Sequence, residues 1–374
     1  MIEVTKVKTK KDVKEFIDFP LKLYKDNAYF VPPLYADEKA LFKKKTVYSE
    51  QAESVFFIAK ENGVTVGRIQ GIIQRVANEK WKQKRVRFTR FDSIDDQRVA
   101  DALFAAVENW AKENGMQEIV GPLGFSDLDR EGLLVEGFDQ ISTFEEQYNY
   151  PYYQTLIENL GFEKEVDWVE HKLYAPEKID PRYERISSTM MKKYGLKVGT
   201  AKNTRDFIKK YGDKFFDLLD KVYVDIYQSV PITPKMKKDL IKGFKYIVNV
   251  KYLIVILDKD ENIVAFGITF PSIGKDLQKS GGKLTPKTIY NVLKTIKHPK
   301  VIDLGLVGIV PEYKNRAVAS TIFNELMKML GDGNLEYAET NLNLETNANI
   351  INQWKAFTVI RHKRRRSYVK KISV

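Results

Sequence analysis

The chain has 374 residues, of which 43% are hydrophobic and 12% aromatic, and its formal net charge is +12. This composition excludes wholesale disorder, and the length is typical of about two domains. The absence of cysteine excludes disulfides, thiolate metal sites and cysteine nucleophiles.

Other absences limit the possible partners and location of the protein. The three histidines, His171, His298 and His362, are far apart in sequence and form no metal-ligand spacing. No apolar run approaches the roughly 18 residues of a membrane span, and the first residues lack a signal peptide's apolar core. We therefore expect a cytoplasmic protein with no metal and no membrane partner.

The first half of the chain predicts alternating strands and helices. In order, these are a strand and capped helix over 3–16, a hairpin over 56–73, a strand and amphipathic helix over 87–115, a strand over 117–123, an insert over 124–154, and a helix and closing strand over 152–174.

The second half repeats this order at an offset of 194 residues. Val4 aligns with Val198 and Asp12 with Asp206, which places an acid in the first turn of each helix. The repeat is too long for a solenoid. We therefore predict two related α/β (α+β) domains, residues 1–178 and 188–374, each a mixed, mostly antiparallel sheet flanked by helices. The boundary falls in 175–188, which contains two prolines.

Basic charge is concentrated at the carboxyl end. Residues 361–374 carry seven Lys or Arg and no acid. One interpretation is a solvated face on an end strand, where cations block edge pairing. Alternatives are contact with the phosphates of a nucleotide cofactor and contact with nucleic acid, although no recognised nucleic-acid motif accompanies the charge.

The segment VPEYKNRAVAS (310–320) reads as a strand end, a turn and a helix start. With the duplicated element order, it resembles the GNAT superfamily of acyl-CoA-dependent N-acyltransferases. That family's fingerprint is Gln or Arg, two variable residues, Gly, one variable residue, and Gly or Ala. Here the six places are occupied by 314–319, with alanine at both small positions. The whole chain also looks like uncharacterised bacterial tandem GNAT-like proteins, in segments such as YFVPPL and GMQEIVGPLGFS.

The resemblance implies that this turn receives the pyrophosphate of acetyl-CoA or another acyl-CoA on backbone N–H groups at a helix N-terminus, where the helix dipole also favours an anion. The residues that it assigns to the coenzyme are Ile309, Val310, Lys314, Asn315, Arg316, Ala317, Val318, Ala319, Ser320 and Asn347.

The first half has lost this feature. Aligning 100–104 with 319–323 puts Asp95 and Asp96 at the first two fingerprint places, and Arg98 at the first small one. Two carboxylates would repel a pyrophosphate and stabilise the unliganded helix end. We therefore expect coenzyme A only in the second domain.

Candidate catalytic groups lie on the strand 336–345. Its alternation places Glu339 and Asn341 on one polar face. In the family this strand borders the acyl site, so Glu339 is the preferred general base, with Asn341 contacting substrate or the acyl carbonyl. The alternative is a solvent-facing strand side.

A family acid is missing from the next helix. Asn347 fits the family's pattern, but the tyrosine expected seven residues later is Trp354. An indole N–H does not donate a proton at useful pH, so Trp354 is assigned to packing. A water molecule or Tyr368 could replace the acid.

The insert 124–154 lies where the family has an acceptor loop. It is rich in acids, glycine and aromatics, and a long segment of this kind is often functional. Asp127, Asp129 and Glu131, with Glu136, are predicted to recognise a cationic amine. Tyr148, with Tyr150, Tyr152 and Tyr153, would line a groove or serve interdomain packing.

The function that the resemblance implies is acyl transfer from coenzyme A to a small-molecule or peptide amine by direct attack. Two alternatives remain open. A Fem-like transferase would use aminoacyl-tRNA and the basic carboxyl end, and a non-catalytic GNAT-fold protein would only bind its ligands.

Overall fold

A computed structural model describes residues 1–314 and 316–372. Its strands, in chain order, are β1 (Ile2–Lys6), β2 (Ala52–Glu61), β3 (Val64–Gln74), β4 (Arg85–Ser93), β5 (Glu118–Gly121), β6 (Leu133–Glu136), β7 (Glu163–Tyr174), β8 (Lys197–Val198), β9 (Leu253–Leu257), β10 (Ile263–Pro271), β11 (Val301–Ile309), β12 (Tyr337–Thr340), β13 (Asn343–Leu344) and β14 (Thr358–Lys371).

The helices are α1 (Lys10–Leu23), α2 (Tyr35–Ala40), α3 (Arg75–Lys80), α4 (Gln97–Glu113), α5 (Tyr152–Asn159), α6 (Pro181–Tyr194), α7 (Thr204–Val222), α8 (Pro234–Ile247), α9 (Gly274–Gln278), α10 (Pro286–Lys297), α11 (Ala319–Gly331) and α12 (Ala348–Gln353).

The predicted duplication is visible in the caps of the two equivalent helices. The Thr9 side chain caps α1 by accepting the N–H of Asp12, and the Asp12 carboxylate in turn accepts the N–H of Thr9. Asn203 caps α7 and accepts the N–H of Asp206 at 3.0 Å, and the Asp206 carboxylate accepts the N–H of Lys202. Each cap satisfies N–H groups that a helix start leaves unpaired.

Within the described residues, the strands form a single sheet. Its order is β1-β2-β3-β4-β5-β14-β7-β12-β11-β10-β9-β8, with β6 pairing with β14 and β13 pairing with β7. The β4–β5 and β11–β12 pairs are parallel, and the other pairs are antiparallel. The predicted mixed, mostly antiparallel architecture is therefore confirmed.

The last strands of the two halves are exchanged. From the second half, β14 pairs with β5 of the first, with Tyr368 opposite Gly121. From the first half, β7 pairs with β12 of the second, with Ala338 opposite Leu173. The exchanged strands also pair with each other. The limits 1–178 and 188–374 remain a prediction, but the two segments share one continuous sheet.

This exchange overturns the expectation of a solvated basic end strand. Lys363, Arg365 and Ser367 on one face of β14 are buried. On the other face, Arg364 and Arg366 bond the carboxylate of Asp167. Most cations of β14 therefore pair with carboxylates of the chain, and the charge that suggested tRNA or nucleotide phosphates is largely used within the fold.

Helices cover both faces of the second half's sheet. On one face, Phe215 of α7 packs edge-on against Phe266 of β10, with ring centroids 4.8 Å apart. On the other face, Ile322 of α11 belongs to a cluster with Ile254 and Val264. The proline-containing boundary segment runs into α6, which packs on α11 through Ser187 and Thr321.

In the part of the chain that the structure describes, every helix is too short or too polar to cross a bilayer.

Candidate active site

The site begins where two parallel strands separate. β11 and β12 pair from Val301 to Leu304, and the Asn341 N–H then donates to the Leu304 carbonyl at 3.2 Å. Beyond this point the strands diverge, and their residues line a cavity of about 500 Å³. Ligand pockets in proteins have volumes of this order.

One wall of the cavity is apolar because α7 and α8 present their core faces to it. The residues that form this wall are Phe215, Phe216, Leu219, Leu240, Phe244, Ile247, Phe270, Leu304 and Leu306.

Another part of the lining is acidic, and most of its carboxylates come from the insert of the first half. Asp127, Glu131, Glu145 and Glu146 all line the cavity. Burial raises the pKa of Asp127 to about 6, of Glu145 to about 7 and of Glu146 to about 8. Burial also raises the pKa of Glu131 well above its usual range, and the nearby charge of Asp127 adds to the effect. Bringing a cation into this wall would relieve the cost of ionising it.

Glu145 lines the cavity together with Leu304 and Asn341, the residues at the strand divergence. It lies close enough to Asp303 on β11 for its charge to add to the rise that burial causes in the pKa of Asp303. Its own pKa near 7 suits a general base that works at neutral pH. Sequence analysis did not single out Glu145 or Glu146, although the adjacent acids in STFEEQ lay inside the insert.

Two predicted acceptor residues hold the insert together instead. The Asp129 carboxylate lines the cavity, but it accepts the N–H groups of Phe125 and Ser126 and the hydroxyl of Tyr48. Tyr148 is buried and donates its hydroxyl to the Phe138 carbonyl at 2.9 Å.

The predicted tyrosine groove is also absent from the cavity. Tyr148, Tyr150, Tyr152 and Tyr153 all pack in or against the core of the first half. The Tyr150 ring stacks on Tyr152 with centroids 5.5 Å apart. The fourth acid of the insert, Glu136, is exposed and pairs with Arg361 and Arg364. These residues therefore serve packing and surface pairing.

The predicted base Glu339 is buried away from the cavity lining, so its strand side does not face solvent. Its carboxylate accepts a hydrogen bond from the ammonium of Lys363, which also donates to the Glu170 carboxylate at 3.2 Å. Accepting a substrate proton would break this buried pair, so the structure does not support Glu339 as the base. Glu170, Glu339 and His362 bring possible metal ligands within 4.8 Å, but the Lys363 ammonium contacts both carboxylates.

The predicted substitute acid lies elsewhere. Tyr368 is buried in the core of the first half and its hydroxyl donates to Glu158 at 3.2 Å. The exchange of β14 carries Tyr368 to β5, and burial with the Glu158 charge raises its pKa. It is therefore not an acid for this cavity.

The predicted amides do reach the cavity. Asn341 and Asn347 both line it, and Asn347 caps α12 by accepting the Ile350 N–H. Trp354 is buried, packs against Phe323 and donates its indole N–H to Asn343 at 2.9 Å. Its assignment to packing agrees with these contacts.

The turn before α11 has a left-handed backbone at one residue. Ala317, where the family fingerprint has glycine, has φ of 52°, a conformation that costs an alanine about 1 kcal/mol relative to glycine. Its carbonyl accepts the Ser320 hydroxyl and N–H. The turn therefore has a backbone conformation suited to the glycine that the fingerprint places there.

The cations of this turn are exposed. The Arg316 guanidinium lies 5.1 Å from the ring centroids of both Tyr194 and Tyr313, and Lys314 is exposed. Ile309 ends β11, and Val318, Ala319 and Ser320 lead into α11. Val310 donates to the Val264 carbonyl. Asn315 lies outside the described residues.

In the equivalent turn of the first half, a side chain of the turn itself accepts a hydrogen bond from the helix N-terminus. Asp96 caps α4, accepts the Arg98 N–H at 2.9 Å and pairs with the Arg98 guanidinium at 2.6 Å. A carboxylate of the chain itself thus already pairs with this helix start.

The diverging edge of β11 carries one polar contact. The Tyr223 hydroxyl donates to the Val307 carbonyl and accepts the Val307 N–H, both at 3.3 Å. Val307 pairs with Gly267 of β10 on its other side. A ligand that uses this strand edge must displace Tyr223.

Comparison with known proteins finds no matching family model. Protein YghO of Escherichia coli K12 is 27% identical over 377 residues, which cover 97% of this chain and 94% of YghO. A bacterial ceramide synthase of Caulobacter vibrioides is 26% identical over 322 residues, which cover 84% of this chain and 82% of the synthase.

Solved structures share the fold. A tandem GNAT protein from the clavulanic acid biosynthesis pathway matches with a TM-score of 0.61 at 11% identity, over 100% of this chain and 99% of that one. A GCN5-related N-acetyltransferase from Sphaerobacter thermophilus matches with a TM-score of 0.52 at 9% identity, over 100% and 96%. The chain therefore has the tandem GNAT fold that its sequence suggested.

Proposed function

We propose that this protein is an N-acyltransferase that moves an acyl group from coenzyme A to the amine of an acceptor with a long apolar chain. The observation that carries the proposal is the cavity at the β11–β12 divergence, which has one acidic and one apolar wall. A cation and a hydrocarbon chain in one molecule would satisfy both walls.

The donor side of the proposal rests on the turn before α11. Exposed Lys314 and Arg316 offer charge to a pyrophosphate, and the left-handed Ala317 turns the chain into the helix start. Anions bind well at helix N-termini. We assign no such role to the turn of the first half, because the Asp96 carboxylate caps the helix there.

The acceptor side rests on the acidic and apolar walls. Glu131, Glu145 and Glu146 would pair with an ammonium group, and the apolar wall of α7 and α8 would hold the chain. A relative named as a ceramide synthase supports this assignment, because a ceramide is the amide of a fatty acid and a long-chain amino alcohol.

The chemistry assigned to the site is direct attack. Glu145 takes a proton from the bound ammonium, and the free amine attacks the thioester carbonyl. A C–N bond forms and the C–S bond breaks. The nitrogen passes its second proton to the departing thiolate, and Glu145 then releases its proton to solvent. A carboxylate with a pKa of about 7 exchanges protons with an amine far better than an ordinary one.

The test uses release of the coenzyme A thiol, measured with a thiol reagent, which the cysteine-free chain cannot itself consume. Acetyl-CoA and palmitoyl-CoA are each combined with a long-chain amino alcohol and with ethanolamine. We expect thiol release only with the long-chain amine. Turnover of ethanolamine at an equal kcat/KM would refute the apolar acceptor.

Binding of acyl-CoA is measured separately by calorimetry. Arg316→Glu should weaken it at least tenfold, whereas Arg205→Glu, an exposed arginine on α7, should leave it unchanged. No binding of any acyl-CoA would refute the coenzyme assignment. Binding without thiol release with either amine would favour the non-catalytic alternative.

A further inference from the structure

A stretch of the second half is basic and has no acidic residue. Between Asp276 and Asp303 no Asp or Glu occurs. The six lysines of this stretch are all exposed: Lys279, Lys283, Lys287, Lys294, Lys297 and Lys300. The stretch contains α10 and its flanking turns.

The outer face of α10 is apolar. Leu284 before the helix is 52% exposed, and Ile289, Tyr290 and Leu293 on it are 44%, 68% and 58% exposed. The helical spacing of 289, 290 and 293 places these three on one face. Lys287 and Lys294 lie two turns apart beside that face. We call Leu284, Ile289, Tyr290 and Leu293 the α10 patch.

The helix is fixed so that this patch points outward. Val292 is buried with Ile273 and Leu277, and Ile296 packs against the same cluster. Asn249 donates to the Ile296 carbonyl at 2.9 Å. The exposure of the α10 patch is thus a property of the folded chain, since the opposite side of the helix is already packed.

We propose that the α10 patch and its lysines dock the protein on the surface of an anionic lipid bilayer. A helix with one apolar face beside a lysine-rich face lies in the plane of a membrane interface, with the apolar side chains below the headgroups. Each lysine near an anionic surface adds about 1 kcal/mol of attraction, which is about fivefold in affinity.

Other partners fit these features less well. Nucleic acid would pair the lysines but leave Leu284, Ile289 and Leu293 against phosphates. A second copy of the chain would bring two sets of six lysines together, which is unfavourable. The expectation from sequence of no membrane partner considered only spanning segments and leaders, which docking of this kind does not need.

The docking surface adjoins the cavity through α8. Leu240, Phe244 and Ile247 of α8 line the cavity, and Ile247 also contacts the cluster that holds Val292. One helix therefore separates the bilayer surface from the cavity. Docking itself does not depend on the proposed reaction and can be tested without it.

The test measures co-sedimentation with vesicles of phosphatidylcholine alone or with 30% phosphatidylglycerol. The full chain should bind the anionic vesicles at least tenfold more tightly. Lys287→Gln with Lys294→Gln should weaken binding about thirtyfold. Leu284→Ser with Ile289→Ser and Leu293→Ser should weaken it at least tenfold. The matched control, Lys84→Gln with Lys112→Gln on the first half, should bind as the parent does.

Insertion is tested by a fluorescent label. Because the chain has no cysteine, Tyr290→Cys creates a single site for an environment-sensitive dye. Its emission should rise on adding anionic vesicles, while a dye at Lys112→Cys should not respond.

Several results would overturn the proposal. These are no binding to anionic vesicles at low salt, an equal loss in the control variant, or no response of the dye at 290. Binding to nucleic acid but not to vesicles would assign the lysines to that partner. A dimer that dissociates in the serine variant without vesicle binding would make the α10 patch a self-association surface.

Discussion

Replacing Lys363 with methionine should destabilise the protein by about 3 to 5 kcal/mol at neutral pH, the usual cost of leaving a buried charge without its partner. The ammonium of Lys363 contacts the buried carboxylates of Glu170 and Glu339. Because Arg365 still pairs with Glu170 in the variant, Glu339 is the carboxylate that loses its ammonium partner. The entropy of unfolding is about 2.1 cal/mol/K per residue. Over 374 residues, a loss of about 4 kcal/mol therefore lowers Tm by about 5 °C.

The pH dependence follows from the two carboxylates. Burial raises the pKa of Glu339 and Lys363 opposes this rise, so the variant should raise it further. Burial acts in the same sense on Glu170, but Arg365 and Lys363 outweigh it and lower its pKa to about 2. Glu170 thus adds stability above its ordinary pKa of about 4.3, and this is lost as pH falls towards 2. The variant's deficit should shrink as pH falls from neutral, because the raised pKa of Glu339 lets this carboxyl take up a proton at a higher pH than an ordinary one.

The measurement is urea unfolding of parent and variant at pH 5.5 and 7.5. Lys371→Met, an exposed lysine on the same strand, should change stability by less than about 0.5 kcal/mol. Adding Glu339→Gln to Lys363→Met should recover part of the loss, because it removes the unpaired charge. A loss below about 1 kcal/mol, or one that is independent of pH, would refute the buried ion pair as a source of stability.

Three further outcomes are expected. Ala317→Gly should stabilise the fold by about 1 kcal/mol in urea, because φ is 52° there, whereas Ala105→Gly, an exposed position inside α4, should destabilise it by a similar amount; equal effects would contradict the left-handed turn. Glu145→Gln should lower kcat by about 10² to 10⁴ and remove the rise of kcat/KM with pH through about 7; an unchanged pH profile would exclude Glu145 as the base. Tyr223→Phe should lower the KM for acyl-CoA several-fold by freeing Val307, and an unchanged KM would mean that the donor does not use this strand edge.

The part of the site that depends on local chain geometry was predictable. Coenzyme binding at the turn before α11 and its loss at the equivalent turn, argued from Asp95 and Asp96, stay predictions, but the local geometry is consistent with both, since Ala317 is left-handed and Asp96 caps α4. Both depend on residues within a few positions of a helix start, where side chain and backbone meet directly. The cavity is also lined by Asn341, Asn347 and Asp127. Their positions were predictable because they depend on the order of the strands and on where the insert lies in the sequence.

The roles of Glu339, Tyr368 and Tyr148 could not be predicted in this way. The sequence pattern of an acid on a polar strand face is the same whether the acid contacts substrate or a buried lysine. Lys363 contacts Glu339 because β14 lies beside β7, which pairs with β12. Tyr368 lies in the core of the first half because β14, which carries it, pairs with β5. Glu145 became a candidate base because burial raised its pKa, and burial depends on walls from both halves.

By itself, the sequence determined the order of elements, the duplication, the caps of α1 and α7 and the contrast between the two turns, because periodicity, capping and turn chemistry act over a few residues. The tertiary structure alone decided the exchange of β7 and β14, the burial of the basic strand and the pairing of an acidic wall with an apolar one. These depend on contacts between strands about 190 residues apart in the chain, where two halves of similar pattern could each have kept their own closing strand.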